Sequence, residues 1–152
     1  MENIQLTEHF SLAEFERSTT ASALCIDNTI PERYIPSIRN LCEQVLEPLR
    51  RDAGQPVIIS SGYRCQALNR AVGGVRNSQH LSGEAADLVV GGPGHCFKWS
   101  DKYKTLLQWR FYLVQNTNFD QCILEHNQYG NYWLHVSCKP ESDQNRREVV
   151  YC

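Results

Sequence analysis

A carboxylate stands inside what otherwise reads as a buried strand. In Ser78-Gln79-His80-Leu81-Ser82-Gly83-Glu84-Ala85-Ala86-Asp87-Leu88-Val89-Val90, residues 85–90 form a short apolar run with Asp87 near its start. An unpaired buried charge is very costly, so a fold that buries this run must give Asp87 a partner. A metal ion is one such partner. Gly83 lets the chain turn from a loop into the strand, and Ala85 and Ala86 let the backbone lie close to its neighbours. His80 precedes Asp87 in the same segment. A second histidine, His135, lies in the strand pattern Tyr132–Cys138, where Leu134, Val136 and Cys138 face one side and Trp133, His135 and Ser137 the other. Two imidazoles and one carboxylate supply three ligands for a catalytic zinc ion and leave a fourth position for water, whose pKa zinc lowers to about 7. Each residue alone also has a plainer reading: His80 as a loop histidine, Asp87 as a hydrogen-bonded turn residue, His135 as a packed strand residue. The argument rests on the two segments taken together.

The surrounding pattern is that of a mixed fold. Ser11 followed by Glu14 fits a capping box for a short helix. A loop is expected from about Ser18 to Ile30. Between Pro31 and Ala53 the apolar positions Ile35, Ile38, Leu41, Cys42, Val45, Leu46 and Leu49 recur at three and four, an amphipathic helix that Pro48 should bend or end early. Val57–Ser60 and Ala85–Val90 read as strands, and Ala67–Val72 as one or two helical turns. Gly91-Gly92-Pro93-Gly94 is a loop. Ser100 caps a helix to about Asn116, with Tyr103, Leu106, Leu107, Trp109, Tyr112 and Leu113 available for burial. Gln121–His126 and Tyr132–Cys138 are strands joined by the turn Gln128-Tyr129-Gly130-Asn131. Helices and strands mix without βαβ alternation, so the fold class is α+β with a mainly antiparallel sheet.

The 152 residues suit a single domain, with an ordered core over about 8–140 and a polar, poorly ordered tail after Pro140. A net charge of −2 leaves no basic footprint for nucleic acid; apart from Arg50-Arg51 and Arg146-Arg147 the cations are scattered. No apolar run approaches the length of a membrane span. The first residues lack the basic and apolar regions of a signal peptide. The seven cysteines include no C-x-x-C pair, and an odd number cannot form a complete disulfide framework in one chain. Reduced thiols, mostly small buried apolar groups, are expected.

The pattern Ser78-x-His80-x-x-Gly83-x-Ala85-x-Asp87, followed by Trp133-x-His135-x-Ser137, resembles the peptidase M15 family of zinc D-Ala-D-Ala carboxypeptidases and L-alanoyl-D-glutamate endopeptidases, phage endolysins among them. Ser60-Ser61-Gly62-Tyr63-Arg64-Cys65, Phe10–Phe15, Leu68-Asn69 and Val72-Gly73-Gly74-Val75 extend the likeness over nearly the whole span from Phe10 to Ser137. The resemblance implies a hedgehog/DD-peptidase-like fold, zinc as the cofactor, His80, Asp87 and His135 as its ligands, Arg64 as a clamp on a substrate carboxylate or carbonyl, and peptidoglycan stem peptides as substrates. Ser78 is a further candidate for substrate binding, and Ser137 for orienting His135. His9, His95 and His126 match no motif and are read as non-ligands.

A zinc peptidase also needs a carboxylate to move a proton from water to the leaving amine. In several family members this acid lies about three residues before the second histidine, where this chain has Tyr132. The hairpin suggests Glu125 instead, opposite residues near Trp133–His135, with Glu84 ranked second. The expectation is therefore a monomeric zinc peptidase, without nucleic-acid or membrane partners, reaching the cell wall by phage-type release or from a virion. Which stem-peptide bond is cut stays open, and so does a non-catalytic module of the same fold that binds cell-wall peptide or a protein partner.

Overall fold

The structure, a computed structural model, describes residues 3–91 and 99–151. Helix α1 (Leu12–Glu16) starts as its capping box requires: the Ser11 N–H donates to the Glu14 carboxylate at 2.7 Å, and Leu12 and Phe15 turn inward. The stretch expected as a loop contains a second short helix, α2 (Thr19–Ala23), capped by the Ser18 hydroxyl, which accepts from the Ala21 N–H at 3.1 Å. It buries only Ala21, so it had no apolar stripe to betray it.

The amphipathic segment is helical to its expected end. It comprises α3 (Ile35–Leu41), a π-turn over Cys42–Leu46, and α4 (Glu47–Ala53). Pro48 does not end the helix early. It has no N–H for the carbonyl four residues back, and its ring crowds that carbonyl. The wide turn just before it, closed by the Glu47 N–H on the Cys42 carbonyl, makes the room. Gly54, at φ 64°, then stops the helix. Ile38, Leu41, Cys42, Val45, Leu46 and Leu49 form the buried stripe.

Five strands form one sheet: β1 (Val57–Ser61), β2 (Ala85–Val90), β3 (Gln121–His126), β4 (Tyr132–Ser137) and β5 (Glu148–Tyr151). Their order is β1-β2-β4-β3-β5; the first four pair antiparallel, and β5 joins β3 in parallel. The fold is α+β with a mainly antiparallel sheet, as the sequence pattern indicates. The expected loose tail is instead structured: a 3₁₀ turn over Ser142–Gln144 leads into β5. Arg146 anchors this arm to Asp120, and Val149 packs on the core.

Strand alternation separates the faces of the sheet. Ala86, Leu88, Val90, Cys122, Leu124, Leu134 and Val136 join the core. There they meet the long helix and α6 (Trp99–Asn116), which buries Leu106, Trp109 and Leu113. Helix α6 begins one residue before the expected cap, Ser100. Tyr103 is not buried; it stays exposed, its ring edge-on to Tyr132 at 5.1 Å. The opposite face carries Asp87, Gln121, Ile123, Glu125, Trp133 and His135 along a cleft. A short helix, α5 (Gln66–Ala71), and a 3₁₀ turn, Gln79–Ser82, border it.

Cys42, Cys122 and Cys138 are buried, and none of the five described cysteines is in a disulfide. Burial pushes the Cys122 thiol up to about 12, so it is an inert packing group. From Gly92, the expected Gly91–Gly94 loop lies outside the described residues, as do His95, Cys96 and Cys152. No helix among the described residues is long and apolar enough to cross a membrane.

Candidate metal centre and cleft

Asp87 and His135 are direct partners across the antiparallel β2–β4 pair, which accounts for their meeting despite their distance in sequence. His80 arrives from the 3₁₀ turn, whose end is set by Gly83 at φ 72°; a Cβ there would lie 2.8 Å from Ile38 Cγ1. The three side chains converge on one point. His80 Nε2 lies 3.2 Å and His135 Nδ1 3.0 Å from the same oxygen, Asp87 Oδ1. All three residues are buried, and their ligand atoms lie within 4.8 Å of one another. Burial opposes charge on Asp87, but His80 and His135, through charge and hydrogen bonding, hold its carboxyl well below the usual range.

The orientation of His80 tests whether a metal fits. Its Nδ1 lies 2.6 Å from the Gly62 carbonyl, which can only accept, so Nδ1 carries a proton there. In the neutral ring, Nε2 is then a lone pair aimed at a carboxylate oxygen. Two acceptors so close need a proton or a cation between them. A neutral imidazole held by a carbonyl on its other nitrogen is the usual dress of a metal-ligating histidine, and the N₂O donor set suits zinc. Gly62 itself is obligatory, since a Cβ there would sit 2.6 Å from Phe15 Cα.

A bulge between Ile59 and Ser61 shifts the β1 register so that Ser61 pairs with Asp87. Ser61 thereby reaches Arg64, whose Nε donates to its hydroxyl at 3.0 Å. Arg64 Nη1 donates to Asn69 Oδ1 at 3.2 Å and Nη2 to Asp87 Oδ2 at 3.3 Å. Arg64 is thus tied to the cluster as well as lining the cleft, and each terminal nitrogen keeps a second N–H.

The cleft holds about 570 Å³ and is lined by Arg64, His80, Asp87, Glu125 and His135, with Ser78 and the Val72–Val75 rim. Glu125 pairs directly with Trp133, so it lies on the His135 face, one diagonal step away. Its Oε2 accepts from Trp133 Nε1 at 2.7 Å. Glu84 does not line the cleft; its carboxylate accepts from Gln79 at 3.3 Å. Ser78 caps the 3₁₀ turn, accepting from the His80 N–H at 3.2 Å. Ser137 does not orient His135: its hydroxyl accepts from the Gln121 N–H at 3.0 Å and ties β4 to β3.

Sequence reasoning missed Arg146, which enters the cleft from the C-terminal arm. His9, read from the sequence as a non-ligand, has its Nδ1 2.6 Å from Glu47 and forms, with Glu8, a second His/Glu group. Arg51 already reaches both of those carboxylates, at 3.8 and 3.9 Å.

Comparison with known proteins bears on this geometry. The family model described as Peptidase M15 matches residues 8–103, a span that includes Arg64, His80 and Asp87. His135 and Glu125 lie beyond it, on the β3–β4 hairpin. A zinc D-Ala-D-Ala carboxypeptidase from Streptomyces albus G is 40% identical over 52 residues, covering 34% of this chain and 20% of that protein. The match therefore spans about a fifth of that relative's length.

Proposed function

The chain belongs to the peptidase M15 family, and from that premise we propose that it is a zinc metallopeptidase acting on peptidoglycan stem peptides, built as one peptidase domain. The observation that carries this reading is the convergence of His80 Nε2 and His135 Nδ1 on Asp87 Oδ1, with the His80 tautomer set by the Gly62 carbonyl. His80, Asp87 and His135 would hold the ion. When bound, zinc supplies Lewis acidity towards the scissile carbonyl and lowers the pKa of water.

The remaining work falls to the chain's own groups. The spare N–H of each Arg64 terminal nitrogen is available to a substrate carboxylate or carbonyl oxygen. Ser78, its oxygen accepting from His80, keeps its own O–H for the substrate. Trp133 holds Glu125 by Oε2, which leaves Oε1 to take a proton from water and return it to the leaving nitrogen as the amide C–N bond breaks and a C–O bond forms. Glu84, outside the cleft and held by Gln79, is the weaker candidate for this role.

Incubating the purified protein with muropeptides tests the reading. New amino groups and shortened stem peptides, abolished by a chelator and restored by zinc, are expected, and product masses assign the bond. Binding of the same peptides without cleavage would reassign the chain to a non-catalytic wall-peptide module, the reading that Tyr132 favours by standing where relatives place an acid.

A further inference from the structure

The cleft has a second arginine built differently from Arg64. Residues 146 and 147 are adjacent arginines that part company. Arg147 adopts the left-handed region at φ 52° and sends its guanidinium to the carbonyls of Thr117 and Val114. Arg146 turns to the cleft wall. There Asp120, fully buried, grips one edge of the guanidinium: Nε donates to Oδ1 at 3.0 Å and Nη2 to Oδ2 at 2.8 Å. The Arg146 backbone N–H adds a third bond to the same carboxylate at 2.9 Å.

That grip leaves the other edge of the fork. Nη1 has no hydrogen-bond partner among the described residues; the nearest anion, Glu148, stands 3.9 Å away and is itself held by Gln121 at 2.8 Å. The Arg146 side chain is 47% exposed. All three Arg64 nitrogens, by contrast, are already bonded, and its side chain is 13% exposed. An arginine clamped along one edge by a buried carboxylate has lost its rotamer freedom before binding, so presenting the free edge to a ligand costs little more entropy. The geometry of that edge matches a carboxylate, with two parallel N–H donors.

We infer that Arg146 forms an anion-recognition subsite, so that the preferred peptide carries a free carboxylate at a distance from the scissile bond, read by Arg146 while the metal cluster and Arg64 engage the reacting amide. The inference rests on the peptidase reading and deepens it by naming the substrate class: stem peptides whose side carboxylate is not amidated. Amidation of that group removes its charge and replaces one acceptor by a donor facing Arg146.

The test uses two synthetic stem peptides that differ only in that carboxylate or carboxamide, with the full-length, zinc-loaded protein. Wild type is expected to favour the carboxylate by about tenfold in kcat/KM, mainly through KM, as fits a partly exposed charge-assisted pair. Arg146→Gln is expected to bring the ratio close to one, and Arg146→Lys to give an intermediate value because it keeps a charge without the fork. Calorimetric binding of both peptides to the Glu125→Gln protein reads the same preference without requiring hydrolysis, so a failure of the peptidase reading is distinguishable from a failure of this one. Equal treatment of the two peptides by wild type, in rate and in binding, overturns the inference. So does an Arg146→Gln variant that loses equally on both, the behaviour of a residue that only latches the C-terminal arm.

Discussion

Asp87 and Asp120 are both buried carboxylates beside one cleft, yet their surroundings are complete in different senses. Every close partner of Asp120 is an obligate donor: the Arg146 side chain and N–H, and Gln79 at 3.0 Å, with Lys139 at 3.9 Å. Asp87 has one such partner, Arg64; the two others are imidazole nitrogens that donate only when protonated. A carboxylate surrounded by donors is a structural joint that asks for nothing more. A carboxylate facing imidazole lone pairs is satisfied only by a proton or a metal. The same residue type, buried in both places, is thus saturated with obligate donors in one and short of them in the other.

The widest separation between the two sites should come from metal removal. Purified protein is expected to carry about one zinc per chain by elemental analysis, and a His80→Ala/His135→Ala variant almost none. Zinc a thousandfold above its Kd stabilises a folded protein by about 4 kcal/mol, so chelation should lower the melting temperature of wild type and leave that of the variant unmoved. Protons compete with zinc for the imidazoles, so occupancy should fall on acidification. Full zinc occupancy in the double variant would break the assignment of Asp87 and its partners as a ligand set.

Next in size is Glu125→Gln. The glutamine keeps an acceptor for Trp133 but cannot take a proton. Activity is expected to fall by roughly 10²–10⁴-fold, the range of general acid–base catalysis, with zinc content and melting temperature near wild type. Glu84→Gln, outside the cleft, should lose far less. If the two variants lose equally, the proton carrier is neither of them.

How much of this was legible depended on whether the signal was local. The members of the His80–Asp87–His135 cluster were, because Asp87 in an apolar run demands a partner and His80 lies in the same segment. The pairing of Asp87 with His135 needed only the register of two readable strands. Glu125 followed from the hairpin turn. What stayed hidden depends on long-range closure. β5 sits behind a polar stretch that masks Glu148-Val149-Val150-Tyr151, and Arg146 was only half of a basic pair until Asp120 singled it out. The bulge between Ile59 and Ser61 left no mark in composition, yet it brings Ser61 opposite Asp87 and within reach of Arg64. Pro48 misled because a π-turn absorbed its cost, and α2 was missed because capping, not an apolar stripe, makes it.

The smallest expected effect is also the sharpest test of the contrast, and it concerns Asp120→Asn. Burial works against charge on Asp120, but the Arg146 hydrogen bonds, and then that of Gln79, outweigh it and draw the carboxyl down from 3.8 to about 2. A carboxyl lowered on folding adds stability that is fully present above its unfolded pKa and is lost as pH falls through the folded one. The window is therefore about pH 4 down to about 2, and the contribution at neutral pH is on the order of 2 kcal/mol. Urea unfolding of wild type and Asp120→Asn, both kept with chelator so that zinc loss does not intrude, should show that difference at pH 7. It should shrink through the same window, with the variant's acid limb flatter than that of wild type. Zinc-loaded Asp120→Asn at pH 7 should still hold about one ion per chain, whereas Asp87→Asn should lose affinity for zinc. If Asp120→Asn empties the metal site as fully as Asp87→Asn does, the joint and the ligand set are one network, and the division drawn between them does not hold.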